Sequence, residues 1–390
     1  MNILIVTDTY SPHVNGASYF SQRLASALHR AGHAPVVVAP SLSVRHSQDT
    51  IDNIPVFGIR SLPVVAYSGF RFSPPLLMKR SLSRILDLVG PDVIHLQGHF
   101  CIGRALLAMP RRRGVPIIAT NHFMPENLTP HLPLSAGATR KLTAWMWADF
   151  ARVFRKADRV TTPTETAAQL IRPLLRQPVT ALSCGIDLRR FNPHNRGDYL
   201  RARYRIPEKP IILFVGRLDH EKHVDRVINA FALAGGADAC LVLVGTGMER
   251  ACLDALVAGL DLKERVVFTG FVPDHDLPNL YALAECFVMA GTAELQSIAT
   301  MEAMASGLPV IAARAGALPE LVEDGVNGFM FEPTCIPMLA EKIELVMGNP
   351  GLRRLMGHAS LKRISVHDIR NTTAAYVALY AEEIALAAAT

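Results

Sequence analysis

The chain has 390 residues, more than one hydrophobic core usually spans, and half of them are hydrophobic, so two well-packed domains are expected and a disordered chain is excluded. No run is apolar and long enough to cross a bilayer, and "MNILIVTDTYSPH" reads as a strand entering a loop, without basic leader or cleavage site, which makes a cytoplasmic protein the expectation. The net charge of +6 is uneven: residues 1–190 carry 22 Lys and Arg against 10 Asp and Glu, and the remainder 18 against 24, so the first half either faces something anionic, a phospholipid surface or nucleic acid, or carries a solubilising bias.

In chain order, short apolar runs alternate with helical patterns. The runs are "NILIVT", "APVVVAP", "DVIHLQ", "VPIIAT" and "DRVTTP", then "PIILFVG", "CLVLVG", "RVVFTG", "CFVMAG" and "LPVIAA". Short apolar runs closed by turn residues are what parallel strands buried on both faces look like. About five fall on each side of "DLRRFNPHNRGD", where the boundary is placed. The fold class expected is α/β, with two Rossmann-like lobes over residues 1–190 and 191–365. The amphipathic tail 366–390 is expected to form a helix that crosses back to the first lobe. Ligands collect at the carboxyl ends of such strands, so binding is expected between facing lobes, in the loops after the strands. Six cysteines lie in mostly apolar stretches without a CxxC pair, which fits buried, reduced thiols.

The first such loop, "TDTYSPHVNGASYFSQRL", brings Gly16 to a helix start, where free amides favour an anion; a plain capped turn is the alternative. In "GRLDHEKHVDRVINA", Arg217 and Lys222 flank a strand-to-helix turn. Cations are disfavoured at a helix start, so two of them there suit a diphosphate better than they suit plain surface charge. "LVLVGTGMER" supplies Gly245 and Gly247, but Arg250 stands where a dinucleotide fingerprint needs its third glycine, which argues against NAD; no cofactor is expected. Asp274-His275-Asp276 matches a metal-binding DxD, yet stands at a helix start, where capping is the preferred reading. His95, His99 and His122 assemble no tight ligand set with a companion carboxylate, so no metal is expected. His122, directly after "VPIIAT", does lie at a strand mouth.

The stretch "GTAELQSIATMEAMASG" holds Glu294 and Glu302 eight positions apart among small and apolar residues. Eight helical residues turn about 80° beyond two revolutions, so the acids would not share a face; Glu294 is placed in a loop and Glu302 in the helix that follows. A carboxylate in such a helix needs hydrogen-bond donors, either sugar hydroxyls or an arginine, with Arg314 closest in sequence. The amides of Gln296, Ser297, Ile298 and Ala299 would draw a phosphate. A phosphate cradle flanked by two hydroxyl acceptors describes a site for a nucleotide joined to a sugar.

With "VNG", "GIDLRRF", "GRLDHEK", "LVGTG", "FTGFVP", the paired glutamates, "EAMASGLPVIA" and "GALPELVEDGVNGFMF", the sequence resembles the retaining glycosyltransferases of the GT-B fold, in family four, over nearly the whole chain. The resemblance implies that Arg217 and Lys222 grip the donor diphosphate, Glu302 takes the ribose hydroxyls and Glu294 takes hydroxyls of the transferred sugar. It also implies that backbone at Phe271 and Val272 meets the base, Gly16 and Gly245 lie along the donor, and His122 sits beside the reacting sugar carbon. The departing diphosphate would take the acceptor's proton, with no metal and no protein nucleophile. Where the family more often reads E-x-F-G this chain has "ELQS", so Gln296 and Ser297 alter the sugar pocket, and Cys184 replaces the commoner asparagine of "SNGID".

For the acceptor, "ATRKLTAWMWADFARVFRKADR" combines Trp145, Trp147, Phe150 and Phe154 with Arg140, Lys141, Arg152, Arg155 and Lys156. Aromatic and basic residues on one helix suit a membrane interface; a helix packed on its own sheet with a solvated basic side is the alternative. With the resemblance to lipid-directed relatives, the expected partners are a nucleotide-diphosphate sugar, UDP- or GDP-linked, and a lipid or glycan acceptor such as diacylglycerol or a glycolipid. An anionic membrane surface joins them, nucleic acid does not, and the protein is expected at the inner membrane face. Two rivals share the fold: a nucleotide-sugar epimerase, for which the first lobe offers chiefly Asp8 and Glu126 as acid and base, and a non-catalytic nucleotide-binding protein.

Overall fold

The computed structural model describes every residue except 14, 65–70, 76–77, 130–131, 133, 236–237 and 390. Val14 of the "VNG" motif is among those left outside. The chain divides into two compact units: Met1–Pro125, Leu134–Gly185 and Ile369–Thr390 form the first, and Glu126–Pro133 with Ile186–Asp368 form the second. The boundaries thus fall at Gly185 and Asp368, and the C-terminal helix Ile369–Ala388 is part of the first unit.

The first unit is built on an eight-stranded sheet. Its strands are β1 (Asn2–Val6), β2 (Ala34–Pro40), β3 (Ser47–Ile51) and β4 (Ile54–Ile59). A small separate pair follows, β5 (Leu62–Pro63) with β6 (Arg71–Phe72), and then β7 (Val93–Leu96), β8 (Ile117–Thr120), β9 (Arg159–Thr162) and β10 (Val179–Ala181). The order is β10-β9-β8-β7-β1-β2-β4-β3, parallel throughout except for β3, which runs antiparallel to β4. Strands β7 and β8 are buried at every residue, as their unbroken apolar runs require. The chain builds outward from β1 through β2 and β4, then returns to β7 on the other side of β1, which creates a switch point between β1 and β7.

The second unit holds six parallel strands: β11 (Ile211–Val215), β12 (Cys240–Val244), β13 (Val266–Gly270), β14 (Cys286–Met289), β15 (Val310–Ala313) and β16 (Gly328–Phe331). Their order, β13-β12-β11-β14-β15-β16, again reverses beside the first strand laid down, between β11 and β14. Phe214, Phe231, Leu241 and Phe287 are fully buried in its core. In sheets of this kind the loops at the carboxyl side of the switch point are where a ligand finds open backbone and converging side chains. Here these are residues 216–223 after β11 and 290–297 after β14.

All six cysteines are free. Cys184, Cys240 and Cys286 are buried and Cys101 and Cys335 half-buried, but Cys252 is exposed on the helix Arg250–Gly259, against the expectation from its apolar neighbours.

Candidate active site

The loop after β11 is held from three directions. Leu218 N donates to Thr246 O at 3.0 Å, Met248 N to the Asp219 carboxylate at 2.9 Å, and Thr292 N to Glu221 O at 3.2 Å. Gly245 makes the first of these approaches possible: its φ is +128°, and a Cβ there would stand 1.9 Å from Gly216 O. The "GTG" glycines therefore serve backbone packing inside the protein.

Both sequence-predicted cations are ion-paired. Arg217 donates to Asp219 at 2.5 Å and to Glu221 at 2.6 Å; both acids are almost buried, while the guanidinium side chain keeps 30% exposure. Lys222 Nζ lies 2.5 Å from Glu294 Oε1. The expectation that Lys222 grips a phosphate and Glu294 a sugar thus meets a direct contact between the two groups. With Asp219 and Glu221 counted, three acids pair with two bases, so an anionic ligand drawn to Lys222 competes with Glu294. Asp219 and Glu221 escaped sequence reasoning, although their spacing of two and four residues from Arg217 was the available signal.

Glu294 lies in the loop, as its small neighbours imply. Its carbonyl accepts Ala317 N at 2.9 Å, and Gly316, at φ +52°, passes so close that a Cβ would meet Glu294 O at 2.7 Å. The helix Ile298–Ala305 follows, capped by Ser297, whose Oγ accepts Thr300 N at 3.3 Å and Thr300 Oγ1 at 2.9 Å. The first-turn amides of Ile298 and Ala299 remain available to an anion. Glu302, 4% exposed, accepts from Tyr281 OH at 3.1 Å. Arg314 is not its partner, since that guanidinium reaches Glu332 at 3.2 Å and Asp324 at 3.5 Å. Gln296 is buried beside the helix start, Val272 is buried and Phe271 is exposed.

Asp276 occupies the N-cap position of Leu277–Ala282 but makes no cap bond, which corrects the capping reading. Its buried carboxylate instead accepts from Tyr199 OH and from Arg203, each at 2.6 Å. Among the described residues no group of three or more His, Cys, Asp and Glu is gathered as a metal would require.

In the first unit, Gly16 opens the helix Gly16–Arg30, where Asn15 caps Ser18 N at 2.9 Å. His122 follows β8, its Nε2 2.8 Å from Gln97 Oε1 and its ring 5.0 Å from that of Phe20. Burial holds its pKa down at about 4, so it is neutral. His95 is fully buried, and His99 is boxed by Phe100, Phe123, Phe150 and Phe154. The acids an epimerase would need are badly placed. Asp8 accepts Ile102 N at 2.8 Å beneath the helix Cys101–Leu107, and Glu126 is exposed in a short 3-10 turn that groups with the second unit.

The helix Ala136–Phe154 divides its aromatic residues. Trp145 is 62% exposed, whereas Phe150 and Phe154 are buried. Trp147 turns inward against Phe123 and Phe150, so it leaves the proposed membrane face. Arg155 is exposed but anchored, its guanidinium donating to Leu174 O at 2.9 and 3.1 Å. Arg140, Lys141, Trp145 and Arg152 remain exposed, with Arg152 also pairing to Asp149. No helix among the described residues is long and apolar enough to cross a membrane. A cavity of about 360 Å³, lined by Leu86, Ile94, Arg111, Arg112 and Ile117, lies at the amino ends of β7 and β8.

Residues 14–190 match the family model described as Glycosyltransferase Family 4, and residues 198–363 match the one described as Glycosyl transferases group 1. The chain is 32% identical over 335 residues to a GDP-mannose-dependent alpha-mannosyltransferase of Mycobacterium tuberculosis, covering 85% of this chain and 83% of that one. Another protein of that species, a GDP-mannose-dependent alpha-(1-6)-phosphatidylinositol dimannoside mannosyltransferase, is 27% identical over 328 residues, 83% of this chain and 82% of its own. Sucrose-phosphate synthase from Thermosynechococcus elongatus shares the fold, with a TM-score of 0.81 over 98% of this chain and 99% of that one, at 20% identity.

Proposed function

The chain belongs to the group 1, family 4 glycosyltransferases, and on that premise we propose that it moves a hexose, with retention of configuration, from a nucleotide diphosphate donor to a hydroxyl of a membrane lipid. The donor on this reading is GDP-mannose, which the mannosyltransferase relatives support by name. The lipid acceptor draws the same support from the phosphatidylinositol dimannoside relative. The second unit holds the donor and the first presents the acceptor, working from the cytoplasmic membrane surface.

The observation that carries the reading is the Lys222–Glu294 contact of 2.5 Å beside an Arg217 already braced by two acids, all at the carboxyl side of the second sheet's switch point. A diphosphate drawn to Arg217 and to the first-turn amides of Ile298 and Ala299 competes for the Lys222 ammonium. Glu294, once released, is free to accept hydroxyls of the sugar, and Glu302 those of the ribose. As the sugar C1–O bond to the β-phosphate breaks, Arg217 and Lys222 neutralise the charge growing on the leaving group. The acceptor oxygen then bonds to C1 on the same face, and its proton passes to the departing diphosphate.

The test is release of nucleotide from GDP-mannose, UDP-glucose and UDP-galactose in the presence of diacylglycerol or phosphatidylinositol vesicles. GDP-dependent labelling of a lipid is the expected result. Folded protein that releases nucleotide from none of these donors refutes the reading, and labelling from a UDP-sugar corrects the donor.

A further inference from the structure

A chain of buried polar contacts runs within the first unit from the C-terminal helix to His122. Tyr380 OH lies 2.6 Å from His95 Nδ1, and Thr120 Oγ1 lies 2.6 Å from His95 Nε2, so both ring nitrogens of His95 are engaged. Thr120 Oγ1 is itself 2.6 Å from Thr161 Oγ1, with Tyr376 OH 3.4 and 3.3 Å from the two hydroxyls. Gln97 Nε2 rests 3.1 and 3.2 Å from the ring nitrogens of His95, and its Oε1 reaches His122 Nε2 at 2.8 Å. The root of Gln97 is fixed as well, since its backbone amide donates to Val6 O at 2.8 Å. His95, Gln97 and Tyr380 are all nearly or fully buried, so these groups have little water to exchange with.

We infer that Gln97, oriented by His95 and Tyr380, is a positioning residue that locks His122 as the neutral Nε2–H tautomer. The inference rests on the reading that His122 borders the reacting sugar. Because the amide oxygen faces His122, the imidazole proton belongs on Nε2 and the lone pair on Nδ1. Burial favours the same neutral form, holding His122 near a pKa of about 4 and His95 near about 3. The titratable groups along the chain are His95, Tyr376 and Tyr380, and burial pushes both tyrosines up. The chemistry asks for this state. Positive charge gathers on the sugar ring as its bond to the diphosphate loosens, and an imidazolium beside it would oppose that charge, whereas a neutral ring with a fixed lone pair does not. The C-terminal helix thereby acquires a part in setting the site through Tyr380.

The experiment combines histidine NMR of the full chain with rates of GDP release from GDP-mannose. In spectra of ¹⁵N-histidine protein, His122→Ala assigns the His122 signals, which are expected to show the Nε2–H form across pH 5 to 8. Gln97→Glu, an isosteric change, is expected to raise the His122 pKa into the range of pH 6. It should move the acid limb of kcat upward with it, so that turnover falls about twofold at pH 6 and about tenfold at pH 5, with little change in donor KM. Tyr380→Phe should lower kcat a few-fold and broaden the His122 signals. On the His122→Ala background neither substitution should cost anything further, whereas a purely structural role would cost the same on both backgrounds. Should Gln97→Glu fail to fold, Tyr380→Phe carries the same comparison. An Nδ1–H tautomer in the parent protein, or losses that add fully across backgrounds, overturns the proposal. If His122→Ala turns over like the parent, it is the reading of His122 that fails, and the tautomer spectra still judge the lock.

Discussion

Lys222 and Glu294 make opposite demands on one another before and after a donor arrives. In the free protein the ammonium and the carboxylate neutralise each other at 2.5 Å, with side chains 16% and 9% exposed. If a diphosphate takes over the ammonium, Glu294→Gln removes the competitor, so GDP alone should bind more tightly than to the parent protein. Turnover should nonetheless drop about 100-fold, because the sugar hydroxyls lose a charged acceptor. Calorimetry with GDP and nucleotide-release rates read the two effects separately, and weaker GDP binding would contradict the exchange. Arg217 behaves differently, since its partners orient it without competing for the ligand. Glu221→Gln should destabilise the second unit by about 1–2 kcal/mol, discounted for the 30% exposure of Arg217, and raise donor KM with little effect on kcat. Denaturant melts and saturation curves decide it. The cations were legible in the sequence because helix starts repel them. The partners of Arg217 were not, since acids interleaved in "RLDHEK" look equally suited to solvent.

At the scale of elements, apolar runs announced five strands of the first sheet and five of the second, leaving out β16, "GFMF". Three strands of the first sheet escaped: β4, "IPVFGI", in which Pro55 is exposed and Phe57 only half-buried, and the two edge strands. β3, "SQDTI", is a polar edge strand, and β10 is three half-buried residues at the opposite edge, so neither needs an apolar run. The β3–β4 hairpin did leave a trace in Asp52-Asn53, which take φ of +52° and +63° as a two-residue turn of that kind demands. The helix Ala136–Phe154 shows the limit of pattern reading: aromatic residues two positions apart lie on different sides, so Trp145 and Trp147 cannot share one surface. Their substitutions should therefore part company. Trp147→Ala should cost about 2–3 kcal/mol in unfolding free energy, from lost contacts to Phe123 and Phe150. Trp145→Ala should change stability by no more than about 0.5 kcal/mol, yet weaken sedimentation with anionic vesicles at low salt. Lys141→Glu with Arg152→Glu should weaken that sedimentation further. Vesicle binding indifferent to all three changes would leave this face without a membrane role.

For the molecule as a whole, the unequal distribution of buried titratable groups makes the two units respond differently to acid. Burial lowers His95 to about 3 and His99 and His122 to about 4, from a usual 6.5, and all three belong to the first unit. Between pH 6.5 and 4 the unfolded chain binds protons that the folded unit refuses. Stability present above pH 6.5 is therefore lost as pH falls through that window, by up to on the order of 3 kcal/mol for each histidine. Asp8 works the other way. Burial raises its carboxyl from 3.8 to about 6, so the folded unit holds a proton between those values and gains stability as pH falls through them. One carboxyl opposes three imidazoles, so the first unit should lose stability on acidification from pH 6.5 to 4, and Asp8→Asn should deepen that loss by removing the compensating group. Both tryptophans of the chain, Trp145 and Trp147, lie in this unit, which makes intrinsic fluorescence a reporter of it alone. In the second unit the histidines with lowered pKa, His223 and His367, are less deeply buried and carry smaller shifts. Acid titration should therefore show the fluorescence transition at a higher pH than the loss of amide-exchange protection in β11, β12 and β14. One coincident transition by both probes, or a fluorescence midpoint unmoved by Asp8→Asn, would mean that these buried groups do not set the order in which the units yield.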